Sequence, residues 1–115
     1  VARLEKAAAA YGDALAVALA DGSPVPNADA LNQLLAGAER LMTREEGLPR
    51  RPWFRHMIYA PGFYTGYGVK TLPGVREGLE EESYDEAEAY VDHIAAALDR
   101  VSDALERATG MAAGE

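Results

Sequence analysis

At 115 residues, with 11 Lys and Arg against 19 Asp and Glu, the chain carries a formal net charge of −8 and no cysteine. That length supports one domain with a self-sufficient core. The charge argues against nucleic acid or an anionic membrane surface as partner, because phosphate binding needs a basic footprint, and the missing thiols exclude disulfides, cysteine zinc sites and cysteine nucleophiles.

The opening, Val1-Ala2-Arg3-Leu4-Glu5-Lys6, enters a charged amphipathic pattern at once and has no initiator methionine, so the chain is expected to be an excised or processed piece. No stretch approaches the ~18 apolar residues of a membrane span. A first helix is predicted from about Ala2 to Ala20, with Leu4, Ala8, Tyr11, Leu15 and Ala18 on one face, stopped by Gly22 and Pro24. A second is predicted from about Ala28 to Glu46. It has Asn27 as N-cap, a stripe of Leu31, Leu34, Leu35, Ala38, Leu41 and Met42, and Gly47 and Pro49 as its stop.

From Leu48 to Leu79 the pattern changes. This region holds Trp53, Phe54 and Phe63, together with Tyr59, Tyr64 and Tyr67. Residues 53–59 have no helical period and read as extended. Pro61-Gly62, Gly66, Gly68 and Pro73-Gly74 punctuate the rest. Pro73 can open a short helix to about Glu80. A third long helix is predicted from about Tyr84 to Thr109, opened by a capping box of Ser83 and Glu86 and closed by Gly110, with Tyr84, Ala87, Val91, Ile94, Ala95, Leu98, Val101 and Leu105 as its stripe. The expected fold is therefore all-α: a small bundle of three long helices plus a short one, with a long aromatic-rich loop between the second and third long helices. Loops of that length are more often functional or interface segments than idle connectors.

No self-contained active site is legible. His93 follows Asp92 on a helix, where consecutive side chains do not face each other. His56 has no partner at metal spacing, and the serines lack a nucleophile elbow. Arg50, Arg51, Arg55, Lys70 and Arg76 make the middle of the chain locally basic, whereas residues 77–88 are strongly acidic; both are expected to be solvated surface. The aromatic loop is the remaining signal. Tyr59, Phe63, Tyr64 and Tyr67 beside Arg55 and Lys70 suit core filling, a protein interface or a carboxylate-binding wall alike.

The run Arg51-Pro52-Trp53-Phe54-Arg55-His56-Met57-Ile58-Tyr59-Ala60-Pro61 resembles a segment in the C-terminal domain of the glutamate carboxypeptidase II-like, M28-type zinc peptidases. Lys70-Thr71-Leu72-Pro73-Gly74-Val75 is similar to a later segment of the same domain. The resemblance covers nearly the whole chain and implies a transferrin-receptor-like dimerisation domain. It implies a homodimer through a larger parent and an upstream peptidase domain in the same chain. Zinc is then expected in that upstream domain, with no metal or cofactor here and no membrane contact by this domain. By the same resemblance the metal ligands and catalytic glutamate lie upstream, so no catalytic residue is assigned to this chain, and an extracytoplasmic location is expected.

In that family the loop after the Tyr-Ala-Pro step sends a Lys-Tyr pair to the substrate's terminal glutamate. An ungapped count places Tyr67 on the tyrosine and Gly66 on the lysine, with Lys70 as the nearest replacement cation. Tyr67 and Lys70 are thus the substrate-binding candidates. Trp53, Arg55, His56, Tyr59, Phe63 and Tyr64 are assigned to an interface or structural loop. The competing reading is a stand-alone helical module that uses the aromatic loop as its pocket.

Overall fold

A computed structural model describes all 115 residues. The first helix, α1, spans Ala2–Leu19 and buries Ala7, with Leu4, Tyr11, Ala14, Leu15 and Ala18 half-buried; Ala8 is exposed. Gly22, the expected stop, is left-handed at φ 72°.

The second helix, α2, is Ala28–Ala36 and is shorter than predicted. At Gly37, a poor helix former, the α-helical ladder ends and the chain tightens into a 3₁₀ turn over Ala38–Met42. Asn27 does not cap α2 through its side chain. Its backbone is left-handed, and its Nδ2 donates to the carbonyls of Met111 (3.1 Å) and Glu115 (3.4 Å) at the far end of the chain.

The aromatic region is not a featureless loop. Residues Tyr59–Pro61 (β1) and Val69–Thr71 (β2) pair antiparallel, with Tyr59 opposite Thr71, Ala60 opposite Lys70 and Pro61 opposite Val69. Ahead of them, the amides of Arg44 and Met57 donate to the carbonyls of Arg55 and Met42, both at 2.9 Å, so residues 42–44 run against 55–57. The short helix, α3, is Pro73–Glu80, as its proline predicts.

The last helix, α4, is Tyr84–Ala112. It runs through Gly110 and ends in a Schellman motif around Gly114 (φ 86°), whose amide bonds Met111 O while that of Glu115 bonds Gly110 O. No capping box opens it. The Ser83 amide donates to Gly78 O at 2.8 Å, closing α3, and the Glu86 carboxylate goes to Arg50. The predicted stripe is covered in part: Ala87 and Ile94 are buried and Leu98, Val101 and Leu105 half-buried, whereas Tyr84, Val91 and Ala95 are exposed, and Tyr90, Ala97, Ser102, Ala104, Ala108 and Ala112 are buried in their place. Alanine faces permit close helix approach, so the small side of α4 is the packed one. No helix is long and apolar enough to cross a membrane.

The chain divides into two compact units: residues 1–41 with 98–115, and residues 42–97. In the first, Leu31, Ala108 and Ala112 form a core against which Tyr11, Ala14, Val25, Leu34 and Met111 pack. Arg3 joins α1 to α4 through Asp103 (2.5 Å) and Glu106 (2.9 Å). In the second, Gly74 and Gly78, one turn apart on α3, receive Tyr90 and Ala87 of α4. A Cβ on Gly78 would stand 2.9 Å from that of Ala87, and one on Gly74 would enter the Tyr90 ring. Tyr90 is buried there, and its hydroxyl donates to Gly47 O at 2.8 Å.

Candidate functional site

The β1–β2 hairpin is the feature built for presentation. Its connection, residues 62–68, is closed by Gly62 N–H to Gly68 O (2.9 Å) and Gly66 N–H to Gly62 O (3.2 Å). Gly66 sits at φ 65°, where a glycine is favoured. Phe63 and Tyr64 meet edge to face at 4.9 Å. Tyr64 is 73% exposed and Tyr67 wholly so, which puts two phenols in open solvent at the hairpin's end.

Both strands are pinned to α3 by ion pairs. On the β1 side the buried Arg51 guanidinium pairs through Nη2 with the buried Glu77 carboxylate, and its Nη1 donates to Pro61 O at 2.6 Å. The other Glu77 oxygen accepts the Phe63 amide at 2.7 Å. The same guanidinium lies over the rings of Phe63 (5.4 Å) and Phe54 (5.8 Å). On the β2 side Lys70 Nζ pairs with Glu80, which Arg76 also approaches at 3.5 Å. The Lys70 ammonium holds the Glu80 carboxyl below the usual carboxylate range. Arg50 adds a third link, to Glu86 of α4, at 3.2 Å. The basic residues and the acidic segment, both expected to be solvated surface, meet in these pairs; Arg50, Arg76 and Glu80 do stay exposed, whereas Arg51 and Glu77 are buried.

On the hairpin's flank a groove of ≈ 290 Å³ is lined by Trp53, Phe54, Arg55, His56, Tyr59, Ala60, Pro61 and Val69. His56 Nδ1 accepts the amides of Ile58 (3.2 Å) and Tyr59 (3.4 Å), and its ring lies 4.1 Å from that of Tyr59. Trp53, Tyr59 and Val69 leave 68%, 48% and 70% of their surface in solvent. All three line this groove, so its walls include apolar side chains left in solvent. His93 is half-buried against Tyr90, with ring centroids 5.1 Å apart.

The hairpin thus brings Tyr59, Phe63, Tyr64, Tyr67 and Lys70 onto one arm and leaves Trp53, Arg55 and His56 beside its base. Sequence reading missed Glu77, Glu80 and the fastening role of Arg51. The one available signal was the opposition of a basic and an acidic segment around the loop. No group of three or more His, Asp or Glu side chains converges as a metal site.

The family profile described as the transferrin receptor-like dimerisation domain matches residues 1–106. A probable glutamate carboxypeptidase of Arabidopsis thaliana is 36% identical over 85 residues, which is 74% of this chain and 12% of that protein. A probable glutamate carboxypeptidase of Arthroderma benhamiae is 38% identical over 68 residues, 59% of this chain and 9% of that one. An inactive zinc metalloprotease of Schizosaccharomyces pombe is 31% identical over 80 residues, 70% of this chain and 10% of that protein. The chain therefore spans about a tenth of the length of the curated relatives it matches. With the profile covering all but its last residues, this chain belongs to the transferrin receptor-like dimerisation domain family.

Proposed function

We propose that residues 1–115 act as one domain, the C-terminal part of a larger zinc-dependent exopeptidase, and that it joins two such subunits into a homodimer. Its aromatic hairpin forms part of the parent's substrate cleft. The pairing reading rests on the exposed face of α4: Tyr84, Val91 and Ala95 recur at helical spacing in solvent, while the alanine side of the helix is packed. An apolar stripe left unburied on a long helix fits a partner surface. The cleft reading rests on Tyr67, a fully exposed phenol on a braced hairpin. The peptidase parent rests on the names of two relatives, both probable glutamate carboxypeptidases, and zinc in an upstream domain rests on the family resemblance of residues 51–61.

The deciding measurement is the mass, zinc content and oligomeric state of the native product. A zinc-bound dimer of subunits several times larger than 12.3 kDa is expected. A metal-free product near that mass would sink the proposal in favour of a stand-alone binding module. In the parent, Val91→Asp should shift the dimer to monomer in sedimentation. Tyr67→Phe should raise KM more than it lowers kcat, as removal of a ground-state contact does. Unchanged kinetics would leave Tyr67 without a substrate role.

A further inference from the structure

We infer that Glu88 opposes the pairing of two subunits through α4, so that the homodimer tightens as ionic strength rises; this rests on the reading of the exposed α4 face as the dimer contact. On that face Tyr84, Glu88, Val91 and Ala95 follow one another at spacings of four, three and four, which sets them in one line along the helix. All four are exposed. Three of them suit an apolar contact, and the second in the line is a carboxylate. Asp92, one turn on from Glu88, and Asp85 stand beside that line, also exposed. Residues 84–97 contain no Lys or Arg, and their one histidine, His93, is half-buried against Tyr90. The other carboxylates of α4 are matched by cations: Glu86 has Arg50, and Asp99, Asp103 and Glu106 share Arg3. Asp85, Glu88 and Asp92 enter no ion pair.

A two-fold contact is self-complementary, with the same patch supplied from both sides. Two copies meeting on this line bring a Glu88 carboxylate from each, with Asp85 and Asp92 around it, against a surface of like sign. Each carboxylate loses hydration and gains no cation. Like charges set across an interface oppose it, and a polar residue in an otherwise apolar helix seam lowers the stability of the pair. Salt screens that repulsion but leaves the apolar contacts of Tyr84, Val91 and Ala95 in place.

The test measures the dimer dissociation constant of the full parent, read by energy transfer between labelled subunits on dilution. It is run in about 0.01 M and about 0.1 M NaCl, across which the screening length falls from about 30 Å to about 10 Å. The wild-type dimer is expected to be tighter at the higher salt. Glu88→Gln keeps the side chain's size; it should tighten the dimer about ten-fold at low salt and flatten the salt dependence. Glu88→Lys should reverse that dependence, because the new ammonium faces carboxylates across the contact and salt then screens an attraction. A wild-type dimer that is equally tight at both salts, or looser at the higher one, would overturn the inference alone, as would a Glu88→Gln variant with the wild-type salt dependence. Val91→Asp without effect on the dimer would overturn the pairing reading and this inference together.

Discussion

Arg51 and Glu77, 26 positions apart in the chain, form a buried ion pair whose remaining hydrogen bonds all go to the hairpin: Arg51 to the Pro61 carbonyl and Glu77 to the Phe63 amide. The pair is thus the joint between β1 and α3. A buried pair in isolation is weak evidence for stability, since desolvation offsets much of the attraction. Here its value is geometric, because it fixes where the exposed phenols point.

Removing one partner leaves the other charged and uncompensated. Glu77→Ala should destabilise the chain by about 3–5 kcal/mol in urea titration. The double variant Arg51→Met/Glu77→Leu should be less destabilised than that single change, because no charge is stranded. If the double variant is the worse of the two, the pair stabilises the fold more than its hydrogen-bond geometry accounts for.

Gly74 and Gly66 are glycines for different reasons, and alanine separates them. At Gly74 a methyl group enters the Tyr90 ring. Gly74→Ala should therefore cost about 1–3 kcal/mol through overpacking and disturb the near-ultraviolet signal of the tyrosines. At Gly66 there is open space but a positive φ. Gly66→Ala should cost about 1 kcal/mol through backbone strain and leave that signal unchanged.

Tyr90 links stability to alkaline pH. Burial raises its phenol above the ordinary value of 10.0. The native state then keeps a proton that the unfolded chain releases, so the contribution is fully present below pH 10.0 and is lost as pH rises through the folded value. Tyr90→Phe removes the bond to Gly47 O and should cost about 1 kcal/mol at neutral pH. It should also flatten the fall in stability above pH 10.0, as read by denaturation across a pH series.

Glu82 ends α3 in a left-handed conformation, φ 57°, as the non-glycine residue of a Schellman motif. It is exposed. Glu82→Gly should raise stability by about 1 kcal/mol, since the Cβ that strains this position is gone while the two closing hydrogen bonds remain. A lower midpoint in thermal denaturation would show that the carboxylate contributes more than the strain costs.

Local signals carried much of the fold. The period of Leu4, Tyr11, Leu15 and Ala18 placed α1, Pro73 opened α3 at its observed residue, and Tyr84 began α4 where predicted. The segment from Arg51 to Pro61 pointed to the family that the profile confirms. These features act within one turn or one segment, so the sequence by itself determined them. What tertiary structure decided lies across longer distances. Alanine suits either face of a helix, so only packing could show that α4 buries Ala97, Ala104 and Ala108 and leaves Val91 and Tyr84 in solvent. Three-residue strands joined through Gly62 and Gly68 lack a tight-turn signature, so the hairpin was legible only once paired. Ion pairs such as Arg51–Glu77 and Lys70–Glu80 have no spacing rule outside a helix. Their carboxylates could be matched to their cations only by the fold that brings α3 beneath the hairpin.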